Sequence, residues 1–212
     1  MTGITPRLWS ILAAMSGGLG LVVLDETVVG VALPTIQADL GMRATGSHWV
    51  VNAYLLVFTV LVAFCGKLGD VFGRGRLFLL GVALFGAGSL AAGFAPSAAA
   101  LVAARGLQGA GAAMVFPASF AIMTTNFPPE KRGLAFGVQT TVAGCFMASG
   151  PVIGGLFAET ISWRWIFWIN LPVVAAIAAV VIAVGLHNRD EQWSAAPHPR
   201  HSMDVAGLVP LV

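Results

Sequence analysis

Residues 165–186 read WIFWINLPVVAAIAAVVIAVGL. All 22 positions pass without an ionisable side chain, where a helix needs about 20 mostly apolar residues to cross the hydrocarbon core of a bilayer. The run 175–185 does not alternate polar and apolar residues, as a strand of a membrane barrel would. It reads as a transmembrane helix. Upstream, five further segments have the same character: roughly Leu8–Leu33, His48–Gly69, Leu77–Ala95, Ala98–Met123 and Leu134–Ala158. Short connections join them, several with turn residues such as Pro96-Ser97 and Pro128-Pro129.

Composition agrees. Of 212 residues, 58% are hydrophobic and only 9% charged, with 26 glycines, whereas charge usually makes up about a quarter of a globular chain. A water-soluble enzyme is excluded for want of polar surface, and disorder for excess of apolar surface. The expected fold is an all-α membrane protein, a six-transmembrane-helix bundle over residues 1–186. Residues 187–202 read as a polar cytoplasmic linker, and 203–212 as the first turns of a seventh span that stops short. Ten residues rise about 15 Å as a helix, half of a bilayer core.

Basic loops stay in the cytoplasm. Arg7, Lys67, Arg74, Arg76, Lys131, Arg132, Arg189 and Arg200 fall on one side of the alternating spans, and Arg43 and Arg164 on the other. Both ends are expected to face the cytoplasm. The first span continues past Asp25 with no small-residue cleavage site, so no signal peptide is expected. Cys65 and Cys145 lie in apolar stretches and read as packed, reduced thiols. Nothing suggests a metal site, a catalytic cluster, a cofactor or nucleic acid as partner; Gly106, Gly109 and Gly111 follow no strand, which argues against a nucleotide loop.

An ionisable residue within a span costs about 2.5–3.5 kcal/mol on insertion scales and usually faces a cavity or a partner. Asp25 and Glu26 adjoin late in the first span, and Arg105 lies in the fourth. Neighbours on a helix point about 100° apart, so the two acids cannot share one direction. Either one carboxylate exchanges protons or meets a cationic substrate, or it forms a static ion pair with Arg105 or lies near enough to the outer surface to be hydrated. Gln108 stands three residues beyond Arg105, on its face of the helix. Gly106, Gly109 and Gly111 suit close helix packing. In the fifth span, Pro151 bends the helix while Gly150 and Gly154 thin one face, which suits a hinge and a merely kinked helix equally. Between spans two and three, Asp70 sits among basic residues as either a solvated turn or a latch.

These stretches together resemble the major facilitator superfamily. Gly66-Lys-Leu-Gly-Asp70-Val-Phe-Gly73-Arg74-Gly-Arg76 is similar to that family's motif between helices two and three, Arg105–Ala113 to its fourth-helix motif, and Gly144–Gly155 to its antiporter motif. Leu24–Pro34, with Asp25 and Glu26, resembles the first-helix motif of drug:proton antiporters. Trp163–Pro172 and Trp49–Tyr54 resemble signatures of the fourteen-helix branch. The resemblance spans most of residues 20–186.

It implies half of a major facilitator fold, built as two inverted three-helix repeats. It also implies multidrug efflux by a proton-coupled antiporter of the plasma (inner) membrane, driven by the proton gradient and without cofactor. Asp25, Arg105 and Gln108 would couple the proton. Gly66, Asp70, Gly73, Arg74 and Arg76, with Gly150, Pro151 and Gly154, would gate. Glu26, Asn52, Tyr54, Met114, Phe116 and Met147 are candidate contacts for a small-molecule substrate, a lipophilic cation; Glu26 occupies a variable position of the motif, to which the family gives no role, and for the others bundle packing is the plainer alternative. Gly30, Val71 and Gly75 depart from the family pattern, the last two thinning the positive charge of the latch. Since the family needs two halves, a missing C-terminal half or partner subunit is expected. A transporter of one metabolite and a non-transporting half are the competing readings.

Overall fold

The computed structural model describes residues 5–186, so the linker and seventh-span expectations lie outside the described residues. The chain runs through α1 (Pro6–Asp39), α2 (Ala44–Phe72), α3 (Arg74–Gly93), α4 (Ala98–Asn126), α5 (Pro129–Thr160), the short α6 (Trp165–Trp168) and α7 (Asn170–Val184). Six spans are long and apolar enough to cross a membrane, α6 and α7 counting as one. The all-α bundle expected from the sequence is present, and no strand occurs among the described residues.

Helix ends follow local chemistry. Thr5 and Ser97 cap α1 and α4, each hydroxyl accepting a backbone N–H three residues on, at 3.4 and 3.3 Å, which satisfies a donor that the first turn leaves open. Proline opens α1 and α5, where its missing N–H is no loss. Gly73 alone separates α2 from α3, with φ +96° and ψ +131°. That backbone conformation is closed to side chains with a Cβ, so the hairpin turns on a single residue. Pro172 cannot donate to the carbonyl of Trp168, which accounts for the break between α6 and α7.

Two features differ from expectation. Helix α1 continues six residues beyond Leu33, through Pro34 and on to Asp39, because hydropathy marks where a helix is apolar and not where it ends. Cys65 is buried, but Cys145 is exposed rather than packed.

Helix α1 lies along α5, α2 along α4, and α3 along α4. Exchanging the first three spans for the last three carries the α1–α5 pair onto the α2–α4 pair, as inverted repeats require. Two arginines at opposite ends echo the same exchange. Arg74, after the second span, reaches the C-terminal part of α4 and donates to the Ala121 carbonyl at 3.3 Å. Arg164, after the fifth, reaches the C-terminus of α1 and donates to Asp39 at 3.0 Å and to the Ala95 carbonyl at 3.4 Å. A cation at a helix C-terminus is favoured by the helix dipole. Trp163 completes the second clamp, its indole N–H donating to Asp39 at 2.9 Å while the Arg164 guanidinium lies 4.3 Å from its ring centroid.

Close approach depends on glycine. A Cβ on Gly111 would stand 2.5 Å from the backbone nitrogen of Phe85 and 2.7 Å from the carbonyl oxygen of Gly81. On Gly88 it would meet Gln108 Cγ at 2.6 Å. Helices α3 and α4 therefore touch backbone to backbone along an antiparallel seam, as small-residue interfaces allow. By contrast, only 17% and 11% of the most apolar stretches of α2 and α5 are buried, against 56%, 56% and 50% in α1, α3 and α4. These two helices present the open sides of the bundle.

Candidate functional site

The seam and the α1–α4 contact converge on one polar cluster sealed in apolar surroundings. Asp25, Ser89, Arg105, Gln108 and Asn170 are each at most 1% exposed and come from α1, α3, α4 and α7. Arg105 Nη1 donates to Asp25 Oδ2 and, at 2.9 Å, to Gln108 Oε1. Its Nε donates to the Val50 carbonyl of α2 at 3.0 Å. The guanidinium face is covered by aromatic rings, its carbon lying 4.4 Å from the Tyr54 centroid and 6.0 Å from that of Phe167. Gln108 Nε2 donates to Asp25 Oδ1 at 3.0 Å and to Ser89 Oγ at 2.8 Å. Asn170 Nδ2 donates to the same two oxygens at 3.1 and 3.3 Å.

Three side chains thus supply N–H donors to one carboxylate. A charge taken out of water needs this kind of satisfaction, since an unpaired buried ion is strongly destabilising. The cluster also decides the question of adjacent acids: Asp25 points into the bundle, and Glu26 is exposed on α1.

The expected proton-coupling residues Asp25, Arg105 and Gln108 form one group. The expected gating residues fall in two places. At the α2–α3 turn, Arg74 donates to Asp70 Oδ1 through Nη2 at 2.9 Å and Nε at 3.2 Å, with Gly73 making the turn, Gly66 about two turns up α2 and Arg76 exposed in the first turn of α3. In α5, Gly150 and Gly154 face α1: a Cβ on Gly154 would lie 2.8 Å from the Val28 carbonyl, and one on Gly150 would overlap Thr27. Pro151, between them, is exposed. The glycine face of α5 therefore bears on α1 within one turn of Asp25.

The six candidate substrate contacts do not converge. Tyr54 is fully buried beneath Arg105, its hydroxyl donating to the Val22 carbonyl at 3.4 Å. Met114 lies in the α3–α4 seam, its Cβ 2.7 Å from where a Gly81 side chain would begin. Asn52 lines a groove of about 410 Å³ on α2 with Trp49, Leu55, Leu56 and Thr59. Met147 and Glu26 are exposed on α5 and α1. Phe116 belongs to a chain of rings, Tyr54–Phe58–Phe116–Phe120–Phe136, with successive centroids 6.3, 5.8, 5.2 and 5.8 Å apart.

Sequence reasoning passed over Ser89 and gave Asn170 no role. Asn170 carried a readable signal, being the one side-chain amide in an apolar run of 22 residues. Ser89 carried none, because a helical serine commonly bonds within its own helix.

A family model described as Major Facilitator Superfamily matches residues 15–210. The chain belongs to the major facilitator superfamily. It is 39% identical to the tetracenomycin C resistance and export protein of Streptomyces glaucescens, over 98% of this chain and 38% of that protein. It is 45% identical to the puromycin resistance protein pur8 of Streptomyces alboniger, over 99% of this chain and 42% of that one. The chain thus spans about two fifths of the length of these relatives. Among solved structures, a peptide transporter POT superposes with a TM-score of 0.73 at 18% identity, covering 85% of this chain and 39% of that one, which supports the fold. The chain is a multi-pass membrane protein of a family whose members are transporters and not enzymes, and antibiotic resistance and export proteins stand among its relatives, as the motifs of the drug-export branch imply.

Proposed function

We propose that this chain is the N-terminal half of a proton-coupled exporter of lipophilic, often cationic compounds, working by alternating access in the plasma membrane. The observation that carries the reading is the enclosed Asp25–Arg105 pair. A proton arriving on Asp25 neutralises the only acid in the cluster. Arg105 then keeps Gln108, the Val50 carbonyl and the aromatic faces, while the charged tie between α1 and α4 weakens. Helix α5, set on α1 through Gly150 and Gly154, would move with it. The end bearing Arg7, Arg74, Lys131 and Arg132 is assigned to the cytoplasm by the basic-loop rule. The open sides of α2 and α5 would meet a second half, supplied by more of the same protein or by a partner subunit.

The substrate class is supported by the export and resistance proteins among the relatives, and by the aromatic chain descending from Tyr54. Exposed Glu26 supplies a negative charge one residue from the coupling acid. Replacing Glu26 with Gln is expected to weaken export of cationic compounds severalfold, on the scale of about 1 kcal/mol for an exposed charge pair. Export of neutral compounds should be unchanged; equal loss for both would remove Glu26 from cation selection.

The central test uses everted membrane vesicles containing the full-length protein. A fluorescent lipophilic cation should accumulate when the lumen is acid and leave when a protonophore collapses the gradient. Accumulation without any gradient would overturn proton coupling. Uptake of a single metabolite with no lipophilic cation carried would favour a dedicated transporter. Normal insertion with no transport of any kind would favour a non-transporting subunit.

A further inference from the structure

Resting on that proton-coupling reading, we infer that Asn170 is a positioning residue whose side-chain amide turns over with the charge state of Asp25. The starting observation is an asymmetry. Asn170 is 1% exposed, and its Nδ2 donates to Asp25 Oδ1 and Ser89 Oγ at 3.1 and 3.3 Å. Its Oδ1, equally buried, has no hydrogen-bond partner among the described residues. The other amide at the same carboxylate oxygen is differently placed. Gln108 uses both ends, Oε1 receiving Arg105 at 2.9 Å and Nε2 reaching Asp25 and Ser89.

Consider the oxygen both amides share. While Asp25 is ionised, Oδ1 accepts two N–H bonds, and turning Asn170 would set two oxygens against each other. When a proton binds that oxygen, Asp25 presents an O–H that needs an acceptor. Gln108 cannot supply one without giving up Arg105. Asn170 can: a rotation of its terminal torsion brings Oδ1 round to receive the carboxyl proton and the Ser89 hydroxyl. In each orientation one end of the amide is bonded and the other is not, so neither is heavily favoured apart from the charge on Asp25. That is the condition for a two-state element. Protonation of an acid on α1 is thereby felt in α7, which contributes no charged residue of its own to the cluster. The charged and titratable groups facing Asp25 from the elements packed on it are Arg105 from α4 and Tyr54 from α2, with Glu26 adjacent on its own helix; α3 and α7 offer only Ser89 and Asn170.

The test compares Asn170→Val, Asn170→Thr and Asn170→Gln with the parent and with Asp25→Asn, all as full-length protein in proteoliposomes. Drug-driven proton movement in Asn170→Val should fall about tenfold, the scale of one hydrogen bond to a charged group. Drug binding in the absence of a gradient should be unchanged. Asn170→Thr or Asn170→Gln, which keep both a donor and an acceptor, should recover at least part of the loss. Infrared difference spectra on acidification supply the reading that a structural role would not move. The carboxyl C=O band, identified by its absence in Asp25→Asn, should shift to higher frequency in Asn170→Val, because its O–H has lost an acceptor. An unshifted band, or equal loss in all three variants, overturns the role of Asn170 while leaving proton coupling intact. Full proton movement in Asp25→Asn would instead overturn the coupling reading itself.

Discussion

Replacing Asp25 with Asn should reduce drug-driven proton movement to background. The substitution keeps the shape of the side chain and an oxygen for Arg105, but sets an NH2 against the donating amides of Gln108 and Asn170, so the cluster stays filled in volume while some of its hydrogen bonds are lost. What it removes is the exchangeable charge. Arg105 is left 0% exposed with no acid in the cluster, and breaking a buried pair in this way costs about 3–5 kcal/mol. Coupling should therefore fall at least about 100-fold, as read by a pH-sensitive dye sealed in proteoliposomes. Equilibrium drug binding provides the control for folding. Undiminished proton movement would sink the assignment of Asp25.

Gly111→Val should prevent the bundle from closing. The first added carbon would sit 2.5 and 2.7 Å from backbone atoms of α3, and backbone cannot turn aside as a side-chain tip can. Helix α3 cannot retreat cheaply either, because Ser89 beside Gly88 is held by Gln108 across the same seam and by Asn170 from α7. Overpacking commonly costs about 1–3 kcal/mol; here the helices must part along a seam that also holds the cluster, so the upper end or beyond is expected. The measurement is the thermal midpoint in detergent, followed by monodispersity. Gly137→Val is the matched control, since nothing lies within 4 Å of a Cβ there, and its cost should stay within about 0.5 kcal/mol. Similar midpoints for the two variants would refute the seam.

Membrane thickness made the six spans legible, and the cost of burying charge made Asp25, Arg105 and Gln108 legible as a group. Hydropathy could not place the end of α1, because Thr35–Asp39 continue the helix outside its apolar part. Nor could it show that Tyr54 lies beneath Arg105. An aromatic residue reads the same whether it floors an ion pair or lines a cavity. Asn170 and Ser89 join the cluster only through what they face, and facing is a property of α3, α4 and α7 together. The clamp of Asp39, Trp163 and Arg164 was equally hidden, its partners lying more than a hundred residues apart in the chain. Sequence had left the glycines of α5 divided between hinge and simple kink; their contact with Thr27 and Val28 sets them against α1, the helix that carries Asp25.

The unequal cysteines have a practical consequence. Cys65 is 1% exposed, whereas Cys145 stands in the open on α5, the least enclosed span and the one set against α1. Of these two thiols, a maleimide fluorophore should attach to Cys145 and spare Cys65. Its emission would then follow α5 as proton and drug are exchanged, and the unlabelled Cys65 would serve as an internal check that the fold has stayed closed.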